Sequence, residues 1–427
     1  MIRVDRITPL KTSLVCSFTY DTRLEPFLNS NVLYVNYDFL VEGMPASVLS
    51  IPLLGMLSPL SWVTGDTIVA KEVDDRYASS LPRVARIMQG MYPDISIKAS
   101  VECTSVHTPW EADPDRTCLL YSGGVDSTTS LLRNFSSKLT LASIRGTPEL
   151  RLWEGEYWER VEQSIAPFVR SLGLSRHIIE TNAVDLFNLD ELSRSFRSSS
   201  LKWKWWENLA HGLILLSLCA PLTYHLGIGK MMIASSNSKF HNEPWGSTPD
   251  SDREIGWGGL TTIHDSFDLN RLMKIRDVLV PYITKHEGVV QLRVCTGKSE
   301  VRLASQALNC GQCEKCVRTM MILLTTGVDP VGCGFPSPDF VKLKEGLISG
   351  RLRHPDARTL RALQAAKTPP TPEMVLRYPG LDGFLTWFYR WEIPHPVKKK
   401  KITRRLAPDG TRRRAVVDAF LKPPKSG

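Results

Sequence analysis

The stretch Thr117–Leu132, TCLLYSGGVDSTTSLL, decides the reading of this chain. Thr117 to Tyr121 is a short apolar run of strand type, broken by Ser122-Gly123-Gly124-Val125-Asp126-Ser127; apolar Leu131 and Leu132 then continue a helical pattern. A strand, a glycine turn and a helix N-terminus make an anion site, because the unpaired N–H groups of the first helical turn and the helix dipole both favour phosphate. Gly123 and Gly124 let backbone approach a ligand without Cβ contact, and Ser122, Ser127 and Thr128 supply hydroxyl donors. Asp126 alone would repel phosphate, so a cation, Mg²⁺, is expected between them. The phosphate loop ending in Gly-Lys-Ser/Thr is absent, which argues against a kinase or GTPase.

Outward from the loop, strand and helix patterns alternate. Leu139 to Ile144, Arg176 to Glu180 and Met231 to Ser235 read as strands, with helices over Glu154 to Leu172 and Trp205 to Leu226. This predicts an α/β fold, a doubly wound parallel sheet with helices on both faces and ligands at the carboxyl ends of its strands. Residues 113–328 form this unit. Residues 1–112 read as a separate N-terminal α+β domain, with strands at Val32 to Leu40 and Ser96 to Val101 and a helix at Tyr77 to Met91. The expected boundary is the proline-containing linker Thr108 to Asp115. Residues 329–394 read as helical, with Val341, Leu343, Leu347, Leu360 and Leu363 at helical spacing, and residues 395–427 as a basic arm.

The loop resembles the PP-loop ATP pyrophosphatase superfamily, whose signature is S-G-G-x-D-S. That resemblance implies cleavage of ATP between its α- and β-phosphates and transfer of AMP to an acceptor oxygen. A nitrogen or sulfur nucleophile then displaces the AMP. It also implies that Ser122, Gly123, Gly124, Val125, Asp126 and Ser127 hold the departing pyrophosphate; Thr128 is expected to join them in binding ATP, and Asp126, Ser127 and Lys204 are the expected catalytic residues.

Two further stretches offer substrate contacts. In Lys202-Trp203-Lys204-Trp205-Trp206, the lysines, Lys204 above all, can meet charge developing at an α-phosphate; the indoles read rather as core anchors. The polar loop Asn237 to Asp265 carries Trp245 and Trp257 with Glu243, Asp250, Asp252 and Glu254. Trp245, Asp250 and Asp252 are the expected substrate contacts, a flat face to stack on and carboxylates that accept from ring N–H groups.

Cys310-Gly311-Gln312-Cys313-Glu314-Lys315-Cys316 places three thiols at spacings of three, and Cys295 lies upstream. Four soft ligands close a tetrahedral zinc shell with no open position, so a structural Zn²⁺ is expected, with an Fe–S cluster as the competitor. The order of these parts resembles the 7-cyano-7-deazaguanine synthase family of the queuosine pathway over about Thr117 to Leu324. Cys295, Cys310, Cys313 and Cys316 match its zinc ligands in order, and Arg318 matches the arginine that follows them. The resemblance implies adenylation of a 7-carboxy-7-deazaguanine-like carboxylate and capture by a nitrogen nucleophile, ammonia or a partner protein's amine. The family's G-Y-P-D segment is replaced here by E-P-W-G-S-T-P-D. Longer synthase-like proteins of this kind resemble components of bacterial antiphage operons. A tRNA-modifying ligase or thiolase and a non-catalytic nucleotide-binding scaffold are the alternatives.

Charge is localised. The net +9 equals the excess in the basic arm, 11 Lys and Arg against 2 Asp, so the rest balances at 42 against 42. The arm is expected to bind RNA or an acidic partner, and the N-terminal domain a partner protein. Met1 to Arg6 is charged with no apolar run behind it, and the apolar stretch Leu213 to Leu218 is too short to cross a bilayer. With 9 cysteines, a reducing cytoplasmic setting without membrane contact is expected.

Overall fold

A computed structural model describes residues 1–199, 203–286, 288–348 and 354–393. Lys202 and the basic arm lie outside the described residues. Ten strands form one mixed sheet: β1 (Ile2–Leu10), β2 (Ser13–Tyr20), β3 (Val32–Asn36), β4 (Ile68–Asp74), β5 (Val101–Val106), β6 (Asp113–Leu120), β7 (Leu139–Arg145), β8 (Ser175–Thr181), β9 (Ile228–Ala234) and β10 (Thr261–Asp265). Their order is β10-β9-β6-β7-β8-β3-β2-β1-β4-β5. The five strands from β6 onward pair in parallel, as the strand–helix alternation predicts. β10 was hidden in the polar loop, because Thr261-Thr262-Ile263-His264-Asp265 carries a single large apolar residue.

Alternate residues of these strands serve different cores. Cys118, Ala142, Met231 and Ile233 enter one apolar cluster, while Leu119, Leu141 and Met232 enter another. The period of two along each strand therefore feeds two buried faces, each covered by helices.

The first 112 residues supply α and β elements but do not pack apart from the rest. β3 runs antiparallel to β8 through Val35↔Thr181 and Asn36↔Glu180. The Asn182 side chain extends that ladder, accepting from Tyr34 N at 2.9 Å and donating to Val32 O at 2.9 Å. Helix Ile51–Thr64 is buried from Ile51 through Val63 and lies against helix His211–Leu218. A Cβ on Gly55 would come within 2.3 Å of the Ser217 side chain. A helix apolar on all sides must be enclosed, and the open edge of β8 needs a partner; both needs join the two regions into one core. The sequence pattern missed this helix because Pro52, Gly55 and Pro59 read as loop punctuation. The strand expected at Ser96 to Val101 begins only at Val101.

The expected long helix from Trp205 is broken into a π-type turn Trp206–Ala210 and helices His211–Leu218 and Ala220–His225. Beyond residue 329 the described residues form a 3₁₀ turn, Val331–Cys333, and four α-helices, Phe340–Ile348, His354–Ala366, Pro372–Arg377 and Leu381–Arg390. Leu343, Leu347, Leu360 and Leu363 bury in the same cluster as Val125, whereas Val341 faces solvent. Among the described residues no helix is long and apolar enough to cross a membrane.

Candidate functional site

Strand order reverses between β6 and β9, the place where an open α/β sheet leaves a crevice beyond its carboxyl ends. The glycine loop follows β6 into that crevice. Gly123 has φ +71°, and a Cβ there would lie 2.2 Å from Ile165 Cδ1. Gly124 is the N-cap of helix Val125–Arg133 and has no side chain to cap it. Ser122 N donates to Ser127 Oγ at 3.3 Å, and the Ser127 hydroxyl reaches Gly124 O at 3.3 Å. Beside the first turn, whose leading N–H groups have no helical acceptor, the Ser122 and Ser127 hydroxyls are drawn to 3.3 Å of each other. Two predicted loop contacts face inward instead: Val125 and Thr128 are buried, and Thr128 N is already committed to Gly124 O at 2.9 Å. Helical periodicity turns positions 125 and 128 to the same side, so the Thr128 hydroxyl is no phosphate donor.

Asp126 projects from the first turn into a cation pair. Its Oδ1 accepts from Lys274 Nζ and its Oδ2 from Arg271, both at 2.8 Å. Lys274 also donates to the carbonyl of Ser235, the residue after β9. Burial pushes the Asp126 carboxyl up, but Arg271 and Lys274 outweigh it and hold the group down at about 2. Burial lowers the Lys274 ammonium against the pull of Asp126. The positive charge that the sequence reading assigned to a metal ion beside Asp126 is therefore matched by two side chains. Both come from Arg271–Met273 and the π-type turn Lys274–Leu279, which carry no motif.

Around this pair lies a cavity of about 530 Å³, within the range of small-molecule sites. Asp126, Arg271, Lys315 and Arg318 bring charge to one part of its lining; Lys204, Glu207, His241, Glu243 and Trp245 also line it. Thr359 and Ala362 of helix His354–Ala366 complete the wall. Lys204 is exposed and pairs with Glu207 at 2.9 Å. Glu149, on the loop after β7, is held below the usual carboxylate range: burial raises it, and His211, Lys315 and Arg293 outweigh that. The π-type turn Trp206–Ala210 reaches this cavity at Glu207, while the other touches it through buried Lys274, which binds the cavity residue Asp126; such turns recur at functional sites.

Of the three expected substrate contacts, only Trp245 lines the cavity. Asp252 is fully buried, accepting from Ser247 Oγ at 2.7 Å and lying 2.7 Å from His264 Nδ1. It ties the loop to β10. Asp250 is exposed on the short helix Pro249–Glu254, away from the cavity lining. Trp257 is also interior, its indole N–H donating to Thr223 at 3.1 Å. Trp203, Trp205 and Trp206 are buried, as the core reading expected. Glu149, Arg271, Lys274 and Lys315 were missed: Glu149 stands on a loop, Arg271 and Lys274 on short helical turns, and Lys315 at the start of helix Glu314–Thr325, where the flanking cysteines drew the reading to the metal.

The four predicted thiols converge. The sulfurs of Cys295, Cys310, Cys313 and Cys316 lie within 4.8 Å of one another. Cys313 is 3.3 Å from Cys316 and 4.0 Å from Cys295, and Cys310 is 3.8 Å from Cys316. Zinc–sulfur bonds of about 2.3 Å place tetrahedral ligands about 3.8 Å apart, so the set fits one ion such as zinc. A multi-iron cluster would hold its thiolates farther apart. Backbone N–H groups of Gly297, Gln312 and Cys313 point at the sulfurs at 3.3 to 3.4 Å, which favours thiolate charge. Gly311, at φ +69°, makes the knuckle. Buried Asn309 clamps the site: its Oδ1 accepts from Val294 N and Cys295 N, and its Nδ2 donates to Leu292 O and Gly334 O. Cys333 is buried outside the cluster.

No protein-family model matches this chain, and no curated protein matches it significantly.

Proposed function

We propose that the cavity binds ATP and that the chain is an adenylating ligase of PP-loop type. The observation that carries this reading is the S-G-G-V-D-S turn at the reversal of strand order, whose Asp126 lines a cavity together with Arg271 and Lys315. In the first step an acceptor carboxylate oxygen bonds to the α-phosphorus and the bond to the bridging oxygen breaks, releasing pyrophosphate. Negative charge grows on the leaving group, where preorganised N–H donors and cations act most strongly. The loop N–H groups, Ser122 and Ser127 suit that charge, with Arg271 and Lys274 beside them. Asp126 would hold the Mg²⁺ that accompanies a nucleotide, and that ion would neutralise phosphate charge beside Arg271 and Lys274. In the second step an amine nitrogen bonds to the acyl carbon, AMP leaves, and the amine proton passes to solvent.

The acceptor of this reading is a 7-carboxy-7-deazaguanine-like carboxylate, with Trp245 as its stacking face. The nucleophile is ammonia or a partner protein's amine, the latter placing the chain in antiphage defence. The bound ion is zinc, held structurally by Cys295, Cys310, Cys313 and Cys316. A thiolase needs a reactive thiol beside the loop. Cys118, the nearest in sequence, is fully buried, and burial pushes it up to about 12, which disfavours that alternative.

Pyrophosphate release from ATP, with and without 7-carboxy-7-deazaguanine, tests the proposal against Asp126→Asn. Carboxylate-dependent release by the wild type alone supports it; equal release by both proteins would overturn it.

A further inference from the structure

The metal cluster and the cavity are lined by interleaved residues of the same two segments. Cys295 turns to the cluster and the next residue, Thr296, lines the cavity. Cys313 and Cys316 turn to the cluster, while Glu314 and Lys315 between them, and Arg318 beyond, line the cavity. All but Thr296 and Cys295 sit at the start of helix Glu314–Thr325, where successive residues point about 100° apart. Fixing the sulfurs of Cys313 and Cys316 on an ion therefore fixes the direction of Lys315. Without an ion, four sulfurs within 4.8 Å of one another have weak S–H contacts and a few backbone N–H donors to hold them, and as thiolates they repel one another.

We infer that the tetrathiolate centre is a positioning device for the ligand cavity: the ion it holds sets the place of Lys315, and metal occupancy and anion affinity are coupled. Lys315 is a cation of the wall whose direction the thiol cluster sets; the cluster acts through it and takes no part in the chemistry. Glu149 and Glu314 line the cavity beside Lys315 and Arg318, so displacing the lysine shifts that wall toward negative charge and weakens its hold on a polyphosphate. A second route runs along the chain before Cys295, where Arg293 N donates to Gly123 O at 2.8 Å and Arg293 Nε to Ser122 O at 2.9 Å. The inference rests on the nucleotide reading of the cavity and names how its affinity is controlled.

Coupling between sites is reciprocal, so it is measurable from either end. On zinc-loaded full-length protein, the rate of zinc loss to a chromophoric chelator is followed with and without saturating inorganic pyrophosphate, and pyrophosphate affinity is measured by calorimetry. Pyrophosphate is expected to slow zinc loss by about tenfold, a typical coupling between sites. Lys315→Met is expected to keep one zinc per chain, bind pyrophosphate about tenfold more weakly and lose the protection. Zinc loss indifferent to pyrophosphate in a protein that binds it would overturn the coupling, as would a Lys315→Met variant that binds like wild type. Wild type that binds neither pyrophosphate nor ATP would overturn the nucleotide reading instead. Because release starts from folded, loaded protein, the test stands even if the metal-free chain unfolds.

Discussion

Arg293 donates its backbone N–H to the carbonyl of Gly123 at 2.8 Å, tying the glycine turn to the segment that ends two residues later at Cys295. The glycine turn and the segment leading to the thiol cluster, about 170 residues apart in sequence, are thus neighbours through Arg293, whose Nε also donates to Ser122 O at 2.9 Å. Gly124 shows how close the approach is, since a Cβ there would stand 3.3 Å from the Arg293 carbonyl oxygen.

Replacing Gly123 by alanine places a side chain at φ +71° and against Ile165. Left-handed backbone costs a residue with a Cβ about 1–2 kcal/mol, and relief of the contact adds to it. Urea denaturation should show a loss of at least that size, and ATP affinity should fall with it. An unchanged midpoint would mean that the turn is not built as described.

The Asp126–Lys274 pair gives a pH signature. The Asp126 carboxyl is held at about 2 in the folded chain, below its unfolded value of about 3.9. Its contribution is fully present above pH 4 and is lost as pH falls toward 2. Asp126→Asn should flatten the stability profile in that window. Removing one partner of a buried pair typically costs about 3–5 kcal/mol, so Lys274→Met should destabilise strongly, and the double variant less than the sum of the singles.

Asp252 and Trp245 should separate stability from binding. Asp252→Ala strands Ser247 and His264 inside the protein and should cost about 1–3 kcal/mol in chemical denaturation, with ligand affinity little changed per folded molecule. Trp245→Ala should do the reverse. Asp250→Ala should alter neither.

Cobalt substitution should give one ion per chain with the absorption of a tetrahedral thiolate site. Cys333→Ser should leave that spectrum unchanged, and Asn309→Ala should weaken metal affinity about 10–100-fold, as loss of an outer hydrogen-bonding residue does. A spectrum sensitive to Cys333 would move the site.

Local signals in the sequence carried much of this. The glycine turn, the parallel strands and the four thiols were legible because each depends on residues close together or on a strict spacing. Lys274 and Arg271 were not, since they reach Asp126 across nearly 150 residues from a turn without a motif. Asp252 misled because a carboxylate in a polar stretch reads as exposed, and only the packing of β10 encloses it. The join between residues 1–112 and the rest was invisible for a similar reason: an edge strand does not announce its partner.

The central claim is tested most directly by exchange of labelled pyrophosphate into ATP, measured with carboxylate present and amine absent. Adenylation predicts exchange that depends on the carboxylate and falls at least about a hundredfold in Asp126→Asn, the scale for disrupting the cation clamp that Asp126 organises around the phosphates. Formation of ADP and phosphate without any exchange would contradict it.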